Sequence, residues 1–294
     1  MKKFMSRKKI ELKPETILKL HEIFIKKDWE IEDDNLNQVS LFNRFSSLLS
    51  ELTSEEQELV LELTNNFTRI KPAEYEHHIQ IAINNFLLDQ VVEMDEINRV
   101  YIAPLIAPVD FGKVKSSGVV QYLCRSVINY IPEFGSKKII YIDASVNGLN
   151  IEKEHINKQG RILLLVDDFV GTGETACSAV DYLINDKEIE KEKLIVLSIA
   201  SLNQGVDCLA EQGIHNYSSL TFDKGITDNC LNAEEVAKKI KIMESIERKI
   251  KVKERESLGY NKSEALITLI RTPNNTFPVF WKEKGGRVAP FPRH

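Results

Sequence analysis

The sequence predicts an α/β protein: a parallel-sheet core over residues 93–294, preceded by an all-helical N-terminal domain over residues 1–92. Three observations predict it. Up to about Val92 the apolar residues recur at helical spacing only. Beyond Arg99, short β-rich apolar runs alternate with helical stretches. One of those runs ends in two carboxylates followed by a glycine-rich turn. Alternating strands and helices make a parallel sheet covered on both faces, and such sheets bind ligands at the carboxyl ends of their strands.

In the helical domain, Ile17, Leu20, Ile23 and Phe24 share one helical face, as do Leu41, Phe42, Phe45, Leu48 and Leu49. Ser54 with Gln57, or Thr53 with Glu56, has capping-box spacing ahead of Leu59, Leu61 and Leu63. A further helix spans Ala73 to Leu88. His77 and His78 are adjacent within it and so face different ways, which argues against a two-histidine metal site. In the core, strands are expected at Val100 to Ala107, Ile139 to Ile142, Arg161 to Leu165 and Leu194 to Ala200. Helices are expected at Val119 to Ile131, Glu174 to Leu183 and Val206 to Glu211. Val236, Ile240, Met243 and Ile250 then mark a long amphipathic helix. From Gly259 the chain is extended and closes on GGRVAPFPRH.

Composition narrows the function classes. The length suits about two domains with a real core. A net charge of −5 argues against a protein that coats nucleic acid nonspecifically. Cys124, Cys177, Cys208 and Cys230 are widely spaced, with no C-x-x-C pair, so four reduced thiols in a cytoplasmic protein are expected. The basic start MKKFMSRKKIELK is not followed by an apolar run and reads as a solvated terminus, not a secretory signal. No stretch approaches the ~20 apolar residues that span a bilayer.

The chemistry concentrates in VDDFVGTGET, Val166 to Thr175. Asp167 and Asp168 fall at the carboxyl end of a strand, and Gly171-Thr172-Gly173-Glu174-Thr175 opens a helix. A helix start carries unpaired N–H groups and partial positive charge, so it favours phosphate. The glycines let the backbone close on that phosphate, and the threonine hydroxyls add donors. Carboxylates beside such a cradle accept hydrogen bonds from sugar hydroxyls. A nucleotide-triphosphate P-loop requires a lysine that this loop lacks. A response-regulator fold requires an aspartate on a later strand, and the strand ending LSIAS has none.

This strand–acidic pair–glycine loop resembles the phosphoribosyl pyrophosphate (PRPP) loop of type I phosphoribosyltransferases. The resemblance implies that Asp167 and Asp168 contact the ribose 2′- and 3′-hydroxyls and that Gly171 to Thr175 hold the 5′-phosphate. It also implies an earlier pyrophosphate loop. The segment Val109 to Gly118 stands at that place, with Lys113, Lys115, Ser116, Ser117 and Gly118 as donors and close-approach positions. A flap is implied between Asp143 and Gly160, and Mg2+ as the cofactor, held through ligand oxygens with Asp167 and Asp168 acting through ribose or bound water. Two positions depart from the family. Gly171 stands where many purine-salvage members carry an aspartate, and Glu174 where glycine or lysine is frequent. Glu174 is expected to point outward.

The tail Gly259 to Trp281 is similar to the C-terminal signature of phosphoribosyltransferase-like proteins of bacterial conflict and antiphage systems, which also carry a helical region before the core. Asn274, Asn275 and Thr276 offer groups able to read a base or ribose edge, with Trp281 as a stacking surface. The other reading is a proline-bounded turn with Trp281 in the core. The resemblance therefore implies an enzyme acting at the anomeric carbon of PRPP or a ribose 5-phosphate group. A nucleotide-binding sensor and a nucleobase-salvage enzyme are the alternatives. Protein partners would dock through the helical domain.

Overall fold

The computed structural model describes residues 11–32, 39–283 and 287–293; the basic start of the chain and part of the GGRVAPFPRH segment lie outside the described residues. The chain divides into two compact units, residues 1–69 with 224–294, and residues 70–223. This differs from a boundary near residue 92. The helix around His77 belongs with the sheet, and the C-terminal helix and tail belong with the N-terminal helices. Helical periodicity shows that a face is buried but not what buries it.

The first unit opens with α1 (Pro14–Lys27), α2 (Leu41–Leu49) and α3 (Ser54–Asn66), followed by β1 (Thr68–Arg69). Proline stands at the first turn of α1, where its missing N–H costs nothing. Ser40 caps α2, its hydroxyl accepting from the Asn43 N–H at 3.1 Å. Of the two box spacings at α3, Glu56 makes the contact: its carboxylate accepts the Thr53 N–H at 2.8 Å. Gln57 turns inward and donates to the Leu49 and Leu52 carbonyls.

The second unit holds α4 (Tyr75–Asp89), β2 (Arg99–Pro104), α5 (Ser116–Ile128), β3 (Lys138–Tyr141), β4 (Ala144–Ser145), β5 (Gly148–Leu149) and α6 (Lys153–Ile156). It continues through β6 (Arg161–Val170), α7 (Glu174–Asp181), β7 (Leu194–Leu202), α8 (Asn203–Glu211) and β8 (His215–Phe222). The main sheet is parallel throughout, in the order β3-β2-β6-β7-β8. Tyr101, Leu163, Leu165 and Val196 pack with Ala176, Val180 and Leu209 of α7 and α8 on one face. The alternate residues Ile102, Leu164 and Leu197 point the opposite way, where α4 and α5 lie. β8 was not legible as a strand. HNYSSLTF is a sheet edge with no fully buried residue, so it needs no apolar run.

The first unit is completed by α9 (Ala233–Lys249), β9 (Ile267–Thr268) and α10 (Pro278–Trp281). β9 pairs in parallel with β1. Phe67 stacks on Phe291 with ring centroids 4.8 Å apart and meets Phe280 at 4.7 Å, so residues from the tail fill the core of the N-terminal helices. The tail's polar residues are consumed internally. Buried Glu264 accepts from the Ile226 and Thr227 N–H groups at 2.9 and 2.8 Å and from the Thr227 hydroxyl at 2.5 Å. The Thr276 hydroxyl donates to the Ile267 carbonyl at 2.6 Å. At Gly259, with φ +81°, a Cβ would sit 2.0 Å from the Asn275 carbonyl, so only glycine fits.

Glu56 ties the two ends of this unit together. Besides capping α3, it accepts from Lys249 and Ser245 of α9. Burial pushes its carboxyl up, but hydrogen bonds from Lys249, Thr53 and Ser245 outweigh that and hold it below its ordinary 4.5. A depressed carboxyl pKa adds stability above the unfolded value and loses it as pH falls through the folded one. Glu56→Gln, which keeps an amide oxygen for the Thr53 N–H but loses the ion pair with Lys249, is therefore expected to cost about 1 kcal/mol near neutral pH. The gap to the wild type closes as pH drops below 4.5. Thermal melts of both proteins across pH check this, and a gap that stays constant into acid contradicts it.

Candidate functional site

The site is built at the carboxyl end of the sheet, where β6 carries its acidic pair. The strand runs on to Val170, so the carboxylates stand inside it and not beyond it: Asp167 is in register with Ser198 of β7. Neighbouring strand residues face opposite ways, so the two carboxyl groups emerge on different sides of the sheet edge. Asp167 is half-buried and its Oδ1 accepts the Asp168 N–H at 2.8 Å. Asp168 is buried; its Oδ1 accepts the Ser116 hydroxyl at 2.7 Å, and its Oδ2 faces the Tyr75 hydroxyl at 3.3 Å.

Two carboxyl groups this close, one buried and one half-buried, resist sharing two charges. Burial, then the neighbouring Asp168 charge, push the Asp167 carboxyl well above the usual carboxylate range, against a smaller pull from Lys115. Burial also raises Asp168, while hydrogen bonds from Ser116, Asp167 and Tyr75 offset part of that rise. The pair thus holds more proton than two free aspartates, until a cation or hydroxyl donors arrive to stabilise its charge.

Past Val170 the chain turns through Gly171 and Thr172, both half-buried, to Gly173, the N-cap of α7 with φ +84°. A Cβ on Gly173 would lie 2.5 Å from that of Cys208, and one on Gly205 would lie 2.4 Å from the Gly171 carbonyl oxygen. The loop therefore rests directly on the first turns of α8, a support that sequence spacing alone did not signal. Glu174 and Thr175 are exposed at the start of α7. Cys177 of α7 and Cys208 of α8 lie in bonding contact as a disulfide, with Cα atoms 6.7 Å apart. This corrects the expectation of four reduced thiols: helices that are distant in sequence converge under the loop. Cys124 and Cys230 are free, and burial pushes the Cys124 thiol up to about 12.

The second loop, Val109 to Gly118, closes on Asp110. Its carboxylate pairs with Lys113 at 2.9 Å and with Lys115 at 2.5 Å. Burial raises the Asp110 carboxyl, but the two lysines prevail and hold it below its ordinary value. Ser116 opens α5 and is taken by Asp168, whereas the buried Ser117 hydroxyl has no hydrogen-bond partner among the described residues. Gly118 needs no special backbone: a Cβ there would meet nothing within 4 Å. Asp110 and Tyr75 were missed as site residues. The i,i+3 spacing of Asp110 and Lys113 was a readable signal; Tyr75, opening a helix two elements earlier, left none.

The helices that follow β2, β6 and β7 (α5, α7 and α8) all start without a side-chain cap. In the other unit, α2 and α9 are capped by Ser40 and Asn232, whereas α1 and α10 also start without a side-chain cap. Uncapped starts leave N–H groups for a ligand. In the segment expected as a flap, β4 and β5 form a small antiparallel hairpin, and Leu149, Ile151 and Ile156 are buried in the core. Asn274 and Asn275 belong to the other compact unit. The Asn275 amide donates to Ser263 at 3.2 Å, and Trp281 is buried with its indole N–H donating to the Thr276 carbonyl at 2.7 Å. Of the two readings of Trp281, the core one is observed.

A five-stranded parallel sheet with an acidic pair at its carboxyl end, flanked by a glycine loop and a lysine loop, defines a type I phosphoribosyltransferase-like protein. The chain belongs to the PRTase-CE family, whose profile matches residues 36–293. No curated protein matches it. Solved structures similar to it include an APRTase from Giardia lamblia complexed with 9-deazaadenine, at 11% identity, covering 48% of this chain and 77% of that one with a TM-score of 0.30. An orotate phosphoribosyltransferase from Aeropyrum pernix is similar at 13% identity over 51% of this chain and 71% of its own, TM-score 0.30. An adenine phosphoribosyltransferase from Thermoanaerobacter pseudethanolicus is similar at 15% identity over 48% and 80%, TM-score 0.27. Among the described residues no helix is long and apolar enough to cross a membrane.

Proposed function

We propose that this chain binds PRPP, or a ribose 5-phosphate group within a nucleotide, and makes or breaks the bond at its anomeric carbon. The observation that carries the reading is an acidic pair standing between two uncapped helix starts, one at the end of a glycine loop and one at the end of a lysine loop. The 5′-phosphate then rests on Gly171 to Thr175, and the ribose diol on Asp167 and Asp168. The diphosphate lies on Lys113, Lys115, Ser116 and Ser117. Diphosphate oxygens compete with Asp110 for both lysines, since a phosphate chain offers more acceptors than one carboxylate.

Magnesium fits this arrangement in one way. Among the described residues no cluster of three or more histidine, cysteine or acidic side chains is placed to hold a metal. Mg2+ is usually carried by one or two carboxylates with substrate phosphates and water, and needs no all-protein cage. Asp167 and Asp168 would hold it through the ribose or bound water, and it would neutralise the departing diphosphate. The chain's own groups orient the sugar, stabilise positive charge at C1′ through the two carboxylates, and exclude water beneath the Asp143 to Gly160 segment.

The tail signature supports a component of a bacterial conflict or antiphage system over ordinary salvage, and Gly171 supports the same ranking by supplying no base for a nucleobase acceptor. Isothermal titration with PRPP and Mg2+ tests the binding. Saturable heat is expected; its absence at millimolar ligand, with folded protein, abandons the phosphoribosyl reading.

A further inference from the structure

Asp168 has both carboxylate oxygens engaged, and its shorter bond reaches out of its own strand. Ser116, which takes Oδ1 at 2.7 Å, is the first residue of α5 and the last turn of the lysine loop. The loop is otherwise closed on itself, because Lys113 and Lys115 both pair with Asp110. One hydroxyl therefore joins the lysine loop after β2 to strand β6. The contact at Tyr75 is long for a hydroxyl–carboxylate bond and comes from α4, outside both. Directly after Ser116, the Ser117 hydroxyl is buried with no partner among the described residues.

We propose that Ser116 is a positioning residue that couples the two halves of the site, so that a diphosphate on the lysine loop and a sugar phosphate on β6 are bound cooperatively. The proposal rests on the phosphoribosyl reading above. A carboxylate fixed at Oδ1 directs its remaining lone pairs one way, toward a diol. When a diphosphate draws Lys113 and Lys115 off Asp110, the loop and the start of α5 settle on the anion. Ser116 carries that change to Asp168. Linkage makes the effect reciprocal: a diol that orders Asp168 orders Ser116, and with it the loop.

The experiment is titration of the full chain with magnesium pyrophosphate, with ribose 5-phosphate, and with each in the presence of saturating amounts of the other. In the wild type each ligand is expected to tighten the other by about 5–10-fold. Ser116→Ala is expected to bring that factor to one, whatever it costs pyrophosphate bound alone. Ser116→Thr, which keeps the hydroxyl, restores the factor. Tyr75→Phe, which leaves the loop alone, weakens ribose 5-phosphate without changing it. If Ser116→Ala does not fold, Ser116→Cys, a poorer donor of similar size, takes its place with the same expected loss. An unchanged factor in the variant overturns the inference, as does a parallel loss of both affinities and of melting temperature, which marks a structural residue. A wild type that binds neither ligand overturns the phosphoribosyl reading itself.

Discussion

Replacing Asp167 and Asp168 together by asparagine is expected to abolish PRPP binding and to raise the melting temperature at pH 7. The two effects share one cause. Burial raises both carboxyl groups, and the Asp168 charge raises Asp167 further, so at neutral pH the folded state bears a cost that the unfolded chain does not. A carboxyl with a raised folded pKa binds protons more tightly when folded, so stability falls as pH rises from the unfolded value through the folded one. Asparagine removes that cost and keeps an oxygen for the Asp168 N–H and the Ser116 hydroxyl. The gain is expected at about 1 kcal/mol, usual for a single stabilising substitution at a functional site. It shrinks as pH is lowered toward 4 and the wild-type pair takes up its protons. Binding suffers because a sugar hydroxyl loses a charged acceptor, about 10- to 100-fold for each one removed. Melting curves across pH and titration with PRPP measure both effects. If the conflict-system reading holds, growth arrest on expression in bacteria disappears in the same variant. A double variant that melts lower at pH 7, or binds PRPP like the wild type, contradicts the account.

Gly173→Ala is expected to be the most damaging single methyl in the α/β unit. The residue has φ +84°, which costs an L side chain about 1 kcal/mol, and its Cβ would collide with Cβ and Sγ of Cys208 at 2.5 and 2.9 Å. With overpacking at about 1–3 kcal/mol, the total is roughly 3 kcal/mol. The only relief is to lift the phosphate loop off α8, so binding of PRPP falls with stability. Gly118→Ala is the control. Its Cβ meets nothing within 4 Å in the first turn of α5, and the helix gains about 0.5–1 kcal/mol. If binding weakens there while stability rises, a ligand approaches the Gly118 backbone; equal losses at both glycines would contradict the loop geometry.

Much of this site was legible before the fold was known. The acidic pair, the glycine loop and the lysine loop are contiguous in sequence, and each has a local reason for its residue types. What joins them was not legible. Tyr75, Asp110, Gly205 and Cys208 matter through contacts made only when separate elements converge, and Ser116 read as an anion ligand before it stood revealed as a partner of Asp168. β8 escaped because an edge strand needs no apolar pattern. The boundary read near residue 92 differs from the division into compact units for a related reason: α4 and α3 have similar periodicity, but one packs on the sheet and the other on α9. Asn275 read as a reader of bases because its surroundings were hidden; it is buried, with an amide N–H donated to Ser263.

The order of the chain has a consequence for how the protein is born. Residues 70–223 are one uninterrupted stretch, while the other unit is split around them. On the ribosome the sheet and its ligand loops are complete while segment 224–294 is still being made, an interval of several seconds at about 5–20 residues per second. Throughout it, Trp29, Phe45 and Phe67 lack Phe280 and Phe291, the rings that close their cluster. The nascent chain therefore carries a finished candidate site in one unit and, in the other, an aromatic surface awaiting the residues translated later that seal it.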